Sequence, residues 1–125
     1  MGDTILMIDD NPFIMELNRE ALTQQGYRVL EAETISQGRS LFENEHPDLI
    51  MLEVKLPDGC GLRFCEDVRN VSDIPIMFVS VLGTKADRLA GLDAGSDFYM
   101  PKPYDLDVLL VRLKAILRYA KRHVD

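Results

Sequence analysis

Residues 4–12 read Thr-Ile-Leu-Met-Ile-Asp-Asp-Asn-Pro, a short apolar run that ends in two adjacent acids. An apolar run of this length, bounded by polar residues, is typical of a buried strand. Asn11 is placed to cap a following helix, with Pro12 at its first position. The predicted buried face of that helix carries Phe13, Leu17, Ala21 and Leu22. This stretch therefore predicts a strand with acids at its end, followed by a helix.

The same alternation of strand and helix continues along the chain. The predicted strands are 4–8, 27–32, 49–54, 75–79 and 97–100. Capping signals open later helices at Thr34 with Gln37, at Thr84 with Asp87 and at Asp105, and Pro57-Asp58-Gly59 predicts a turn. Parallel strands need crossover connections. Five strands alternating with five helices therefore predict an α/β fold, with a five-stranded parallel sheet inside three layers.

Length and charge limit the classes of protein that fit. The chain has 125 residues, enough for one domain around a single core, and we expect that domain to span residues 1–125, alone or as the first part of a longer protein. The net charge of −7 repels phosphates, so we expect no direct nucleic-acid binding. The apolar stretches, such as 74–82, are too short to cross a bilayer, and Met1-Gly2-Asp3 lacks the basic start of a secretion signal. We therefore expect a cytoplasmic location and no membrane partner.

Polar residues close four of the five predicted strands. They are Asp9 and Asp10, Glu53, Ser80 and Lys102. In a sheet of this kind, ligands bind beyond the carboxyl ends of the strands, so we expect these side chains to meet. Adjacent carboxylates repel each other unless a cation lies between them, and Mg²⁺ prefers oxygen ligands. The predicted metal ligands are Asp9, Asp10, Glu53 and the backbone carbonyl of Lys55. Lys102 and Ser80 would complete a pocket for an anionic group such as a phosphoryl.

Four stretches carry a resemblance to a known family: IDDNP at 8–12, DLIMLEVKLPDGCG at 48–61, PIMFVS at 75–80 and DAGSDFYMPKPY at 93–104. They resemble the receiver domain of bacterial two-component response regulators, over essentially the whole chain. The resemblance implies a flavodoxin-like, doubly wound (βα)5 fold and phosphorylation by a histidine kinase. It assigns Mg²⁺ binding to Asp9 and Asp10, the phosphoacceptor position to residue 53, phosphate contacts to Ser80 and Lys102, and an inward-turning aromatic ring to Tyr99. It also implies a cis bond between Lys102 and Pro103.

Glu53 departs from the family, which has Asp at the phosphoacceptor position. The extra methylene moves the carboxylate by about 1.5 Å, and a misplacement on that scale can cost about 100-fold in rate. We therefore expect an atypical, phosphorylation-independent receiver in which Glu53 mimics or replaces the phosphorylated Asp. The alternative is an ordinary phosphorylatable receiver, in which Glu53 accepts the phosphoryl group from a histidine kinase.

The segment from Asp87 to Arg118 resembles receivers that are attached to winged-helix DNA-binding domains. Such receivers pair through their fourth helix, fifth strand and fifth helix. The resemblance makes Lys85, Asp97 and Arg112 candidates for charge pairs across a homodimer interface. It also implies an effector domain outside this chain, with a histidine kinase or another signalling protein as partner.

Two other classes share the predicted topology. Haloacid-dehalogenase-type phosphatases need Asp-x-Asp after the first strand, and flavin-binding modules need a loop rich in Ser, Thr and Gly there. Residues 9–12 are Asp-Asp-Asn-Pro, which supplies neither. The sequence therefore indicates a signalling module and not an enzyme, apart from self-phosphorylation and dephosphorylation.

Overall fold

The computed structural model describes residues 2–122 as a parallel sheet with helices on both faces. The sheet strands are β1 (Thr4–Ile8), β2 (Arg28–Ala32), β3 (Leu49–Leu52), β6 (Ile76–Ser80) and β7 (Phe98–Pro101). A small hairpin consists of β4 (Lys55–Leu56) and β5 (Gly59–Cys60). The helices are α1 (Pro12–Gln24), α2 (Ile35–Glu45), α3 (Gly61–Arg69), α4 (Lys85–Asp93) and α5 (Leu106–Arg122). Within these residues, no helix combines the length and apolar character needed to cross a membrane.

The strand order β2-β1-β3-β6-β7 puts the ends of three central strands side by side. All pairs in this sheet are parallel, and Ile8 pairs with Leu52. Asp9 and Glu53 directly follow this pair, and the Glu53 amide donates to the Ile8 carbonyl at 3.0 Å. The strand order therefore brings the predicted polar residues to one edge, as expected for a doubly wound sheet.

The core is divided into two layers because successive strand residues point to opposite faces of the sheet. On one face, strand residues pack with Phe64, Cys65 and Val68 of α3. On the other face, they pack with Met15 and Leu22 of α1 and with Leu109, Leu113 and Leu117 of α5. The predicted three-layer α/β architecture is confirmed.

The buried face of α1 differs from the prediction. Its buried residues are Met15, Asn18 and Leu22, whereas Phe13 and Leu17 are exposed. The predicted apolar stripe was therefore wrong by part of a helical turn. The N-cap was predicted correctly, because the Asn11 side chain accepts hydrogen bonds from the first turn of the helix.

Two other caps also bear on the predictions. Thr84 and Asp87 form the reciprocal capping box expected at the start of α4. At the start of α2, Thr34 accepts a hydrogen bond from the Gln37 amide, but the Gln37 side chain accepts from the amide of Glu33. The second half of that predicted box is therefore shifted by one residue.

The segment after β3 also differs from the prediction. Strand β3 ends at Leu52, and the turn at 57–59 joins the hairpin of β4 and β5. Asp58 in that turn accepts hydrogen bonds from the amides of Ile35 (2.8 Å) and Ser36 (3.0 Å), at the start of α2. These bonds lower the pKa of Asp58. The hairpin thus satisfies the amino terminus of a helix that is more than 20 residues away in sequence.

Arg69, the last residue of α3, clamps two loops at the opposite edge of the sheet. Its guanidinium donates to the carbonyls of Gly95 (2.7 Å) and Ile74 (2.6 Å), and to the Asp97 carboxylate (2.8 Å). The same Asp97 oxygen accepts from the Ile76 amide at 2.9 Å. One side chain therefore fixes the starts of both β6 and β7.

We expect Arg69→Met to lower the free energy of unfolding by about 2–3 kcal/mol, because it leaves partly buried carbonyls and a carboxylate without their charged donor. Urea unfolding measures this change. Arg63→Met on the same helix is the control, since Arg63 is 79% exposed and forms only a surface ion pair. That control should cost no more than about 0.5 kcal/mol. Equal losses in the two variants would contradict the clamp.

Candidate functional site

The centre of the site is the ammonium of Lys102, which lies between two carboxylates. Lys102 Nζ is 2.6 Å from Asp9 Oδ2 and 3.1 Å from Glu53 Oε1. All three side chains are at least nine-tenths buried. Burial alone lowers the pKa of Lys102, but the hydrogen bonds and charges of Asp9 and Glu53 outweigh it and raise the pKa above its usual value. The predicted convergence of these three residues is therefore present.

Backbone amides complete the surroundings of the Glu53 carboxylate. Oε2 accepts a hydrogen bond from the Val54 amide at 2.6 Å, and Oε1 accepts from the Val81 amide at 3.3 Å. Glu53 is only 4% exposed, and Lys102 is its third donor. The carboxylate thus spans the gap between the end of β3 and the loop after β6, where it forms hydrogen bonds from both of its oxygens.

Ser80 and Tyr99 lie on the other side of that loop. Ser80 is fully buried, and its hydroxyl oxygen accepts from the Leu82 amide at 3.1 Å. The Tyr99 hydroxyl donates to the Leu82 carbonyl, and the ring is 7% exposed. Burial raises the pKa of Tyr99, and the nearby Ser80 hydroxyl partly offsets that rise. Tyr99 is therefore turned inward, and both side chains hold the loop at Leu82.

Gly91 gives the Tyr99 ring its room on the α4 side. A Cβ atom at residue 91 would lie 2.6 Å from Tyr99 Cδ2 and 3.1 Å from Phe78 Cδ2. Such a contact is far inside van der Waals distance. The inward position of Tyr99 therefore requires that residue 91 of α4 has no side chain. This close packing connects the pocket to α4.

The carboxylates do not form the three-acid metal site that the sequence predicts. Among residues 2–122, no three His, Cys, Asp or Glu side chains are grouped closely enough to hold an ion. Lys102 occupies the position between Asp9 and Glu53, while Asp10 is exposed and Lys55 lies in β4. The oxygens of Asp9 and Asp10 suit Mg²⁺ in kind. Glu53 already accepts hydrogen bonds from Lys102 and two amides, so a metal ion at this carboxylate would share its oxygens with these donors.

The predicted dimer residues lie on α4, β7 and α5 or directly beside them. Lys85 is the exposed first residue of α4. Arg112 of α5 places its guanidinium 4.3 Å from the centre of the Phe98 ring on β7. Asp97, just before β7, is already bound to Arg69 within the chain. The three residues share one face, but two of them have partners inside the same molecule.

Sequence analysis missed several residues that shape the pocket. They are the amides of Val54 and Val81, and the side chains of Asn18 and Tyr104. An amide carries no sequence signal, because every residue except Pro has one. Asn18 offered a signal, since it stands four residues before Leu22 on the helix, but it was assigned to neither face. The hydrogen bond between buried Asn18 and partly buried Tyr104, 2.7 Å long, links α1 to the loop after β7.

Comparison with known proteins gives concordant results. The model of the family described as "Response regulator receiver domain" matches residues 5–114. The chain is 40% identical over 114 residues to the KDP operon transcriptional regulatory protein KdpE of Escherichia coli (strain K12), covering 91% of this chain and 51% of that protein. It is 38% identical over 121 residues to the DNA-binding dual master transcriptional regulator RpaA of Synechocystis, covering 94% and 50%. The chain thus spans about half the length of these curated relatives.

Solved structures agree with the fold. A CheY-like response regulator receiver domain protein from Methanospirillum hungatei JF-1 matches with a TM-score of 0.93 at 27% identity, covering 99% of this chain and 100% of that one. The non-phosphorylated HemR receiver domain from Leptospira biflexa matches with a TM-score of 0.85 at 34% identity, covering 92% and 94%.

Proteins of this family act in two-component signalling, where their receiver domains interact with histidine kinases and generally bind Mg²⁺ at the phosphorylation site. The family match favours a receiver domain over the two other classes with the same topology, the phosphatases and the flavin-binding modules. The matched residues 5–114 include each predicted site residue. The chain therefore belongs to the response regulator receiver domain family.

Proposed function

We propose that this receiver domain controls its partner without a phosphate cycle, and that Glu53 supplies the negative charge a phosphorylated Asp supplies elsewhere in the family. The carrying observation is the position of the Glu53 carboxylate. It accepts hydrogen bonds from the Lys102 ammonium and from the Val81 amide. Both donors lie at the sheet edge where the resemblance to the family places the phosphoryl group. Tyr99 is turned inward beside this edge, with 7% of its surface exposed.

The mimicry is partial. A carboxylate carries one charge and two oxygens, whereas a phosphoryl group carries about two charges and three acceptor oxygens. In keeping with this difference, the Ser80 hydroxyl forms its hydrogen bond with Leu82 and none with Glu53 among the described residues. A ligand shifts a two-state equilibrium only by its differential affinity, so Glu53 should favour the signalling state less strongly than a phosphoryl group would.

The accessibility of Glu53 supports loss of phosphorylation. A nucleophilic carboxylate must present an oxygen to the phosphodonor. Glu53 is 4% exposed, and each of its oxygens already accepts a hydrogen bond. The second candidate function is the ordinary phosphorylatable receiver, which membership of the family favours. In that case Glu53 would have to leave Lys102 before it could react.

Magnesium binding is proposed to be weak and to involve Asp9 and Asp10. Asp10 is exposed and forms no ion pair within residues 2–122, so its carboxylate is available. Asp9 shares its charge with Lys102 at 2.6 Å, and a divalent ion would compete with that ammonium. Charge neutralisation of the carboxylates thus falls mainly to Lys102.

The face of α4, β7 and α5 is proposed as a homodimer interface. Four exposed apolar side chains lie on its two helices, namely Leu89, Leu92, Val108 and Val111. A two-fold interface uses the same patch twice, so these side chains would contact their own equivalents or neighbours. Because Asp97 already pairs with Arg69, we expect apolar contact to contribute more than an ion pair from Asp97.

The remaining partners follow from the family and stay predictions for this chain. A histidine kinase or another signalling protein is the expected upstream partner. Any DNA binding is proposed to lie in an effector domain outside residues 2–122, in keeping with the net charge of −7. The expected cytoplasmic location also stays a prediction.

The first test compares Glu53→Asp with the parent chain in the presence of beryllofluoride and Mg²⁺. Asp withdraws the carboxylate by about 1.5 Å from Lys102 and from the Val81 amide, and frees the space for a phosphoryl analogue. We expect the amide resonances of Val81, Leu82 and Tyr99 to shift on addition in the variant and to stay unchanged in the parent. Glu20→Asp, at an exposed site on α1, is the matched control and should behave as the parent does. An equal response in parent and variant would refute the mimicry.

The interface is tested by sedimentation equilibrium of Val111→Asp. Val111 is 68% exposed on α5, and a charge there would have to be desolvated in the dimer. We expect the dimerisation constant to fall at least about tenfold. Val71→Asp is the control, because Val71 is 77% exposed beyond α3, away from this face. A parent chain that stays monomeric at every concentration, or equal losses in both variants, would rule the interface out.

A further inference from the structure

A partly buried hydrogen bond ties α1 to the loop that carries Lys102. The Tyr104 hydroxyl donates to Asn18 Oδ1 at 2.7 Å, across 86 residues of sequence. Asn18 is 3% exposed and lies between Met15 and Leu22 on the buried face of α1. A polar side chain buried among apolar residues lowers the stability of the fold unless it forms a hydrogen bond. The pair therefore calls for a role beyond filling the core.

The pair lies next to the pocket. Asn18 lines a small internal cavity that Asp9 and Glu53 also line. Burial raises the pKa of Tyr104, the hydrogen bond with Asn18 and the charge of Lys102 lower it, and the charge of Asp9 raises it further. The phenol thus lies within electrostatic range of Lys102 and Asp9, although its hydrogen bond is with Asn18.

The backbone of Lys102 needs support on both sides. Before it, the Lys102 amide donates to the Ser80 carbonyl at 2.7 Å and so fixes the end of β7 against β6. After it, residues 103–105 form a connection to α5 without regular structure. Within this connection, the Tyr104 side chain is hydrogen-bonded to α1 through Asn18, and the Asp105 side chain accepts from the Asp107 amide of α5. The long, flexible lysine side chain reaches two carboxylates from this support.

We propose that Asn18 and Tyr104 are positioning residues for Lys102: their hydrogen bond holds the loop after β7 against α1 and thereby sets where the ammonium meets Asp9 and Glu53. This role is the same whether the carboxylate of residue 53 is free or phosphorylated. It therefore does not depend on the proposed phosphate-independent function.

The alternative is a pair that only stabilises the core, and a double variant separates the two. Tyr104→Phe removes the hydroxyl and leaves Asn18 Oδ1 without its donor, so it should lower the denaturant midpoint. Asn18→Leu combined with Tyr104→Phe removes both polar partners at similar shape, and most of the lost stability should return. The double variant thus lacks the hydrogen bond but keeps a stable fold.

The decisive measurement is the ¹⁵N chemical shift of Lys102 Nζ. It is detected through the protons of the adjacent Cε methylene group, and the signal is assigned by its absence in Lys102→Gln. These protons are observable even where the ammonium exchanges rapidly. We expect the resonance in both Tyr104→Phe and the double variant to move toward that of Lys55, an exposed lysine. Tyr27→Phe is the control, because the Tyr27 hydroxyl lies near Asp3 and Lys121 at the opposite edge of the sheet.

A double variant whose Lys102 resonance coincides with that of the parent would overturn the proposal, whatever its stability. An equal displacement in Tyr27→Phe would overturn it as well, because the effect would then not depend on the bond to Asn18. A displaced resonance in a double variant of nearly parental stability supports positioning over stabilisation alone.

Discussion

The ammonium of Lys102, held between Asp9 and Glu53, is the contact on which the rest of the pocket depends. It joins the loop after β7 to the ends of β1 and β3, and all three charges are withdrawn from water. Two buried carboxylates this close would repel each other without a cation between them, and a buried charge without its partner is strongly destabilising. The lysine therefore offsets part of the negative charge from which the sequence predicts a metal ion.

The length of the Glu53 side chain decides which groups its carboxylate reaches. With the additional methylene of Glu53, the carboxylate reaches the Val81 amide, so the loop between Ser80 and Leu82 is bound from the β3 side. Tyr99 binds the same loop from the other side, through the Leu82 carbonyl. The acid at residue 53 and the aromatic ring that packs against α4 are thus connected through the backbone of two residues, Val81 and Leu82. Glu53 is thus linked through this loop to Tyr99, which lies beside the face of α4, β7 and α5.

Much of the fold could be predicted because its signals are local. Apolar periodicity indicated the strands, and the Asn11 and Thr84 caps marked the starts of two helices. The meeting of Asp9, Glu53 and Lys102 followed from the geometry of parallel strands. Side-chain hydrogen bonds to groups distant in sequence could not be predicted, such as those that Asp58 accepts from the amides at the start of α2 and the one between Asn18 and Tyr104. The buried face of α1 was assigned wrongly because a polar residue on it was not read as part of the core.

The central claim is that Glu53 holds the pocket in place of a phosphoryl group. Intact-mass measurement of the parent chain during incubation with acetyl phosphate and Mg²⁺ tests it most directly, with Glu53→Asp as the positive control for a competent pocket. The account predicts an unchanged mass for the parent and a gain of one phosphoryl group for the variant. A stable gain of one phosphoryl group on the parent, lost when Glu53 is replaced by Gln, would contradict the account and make Glu53 a working phosphoacceptor.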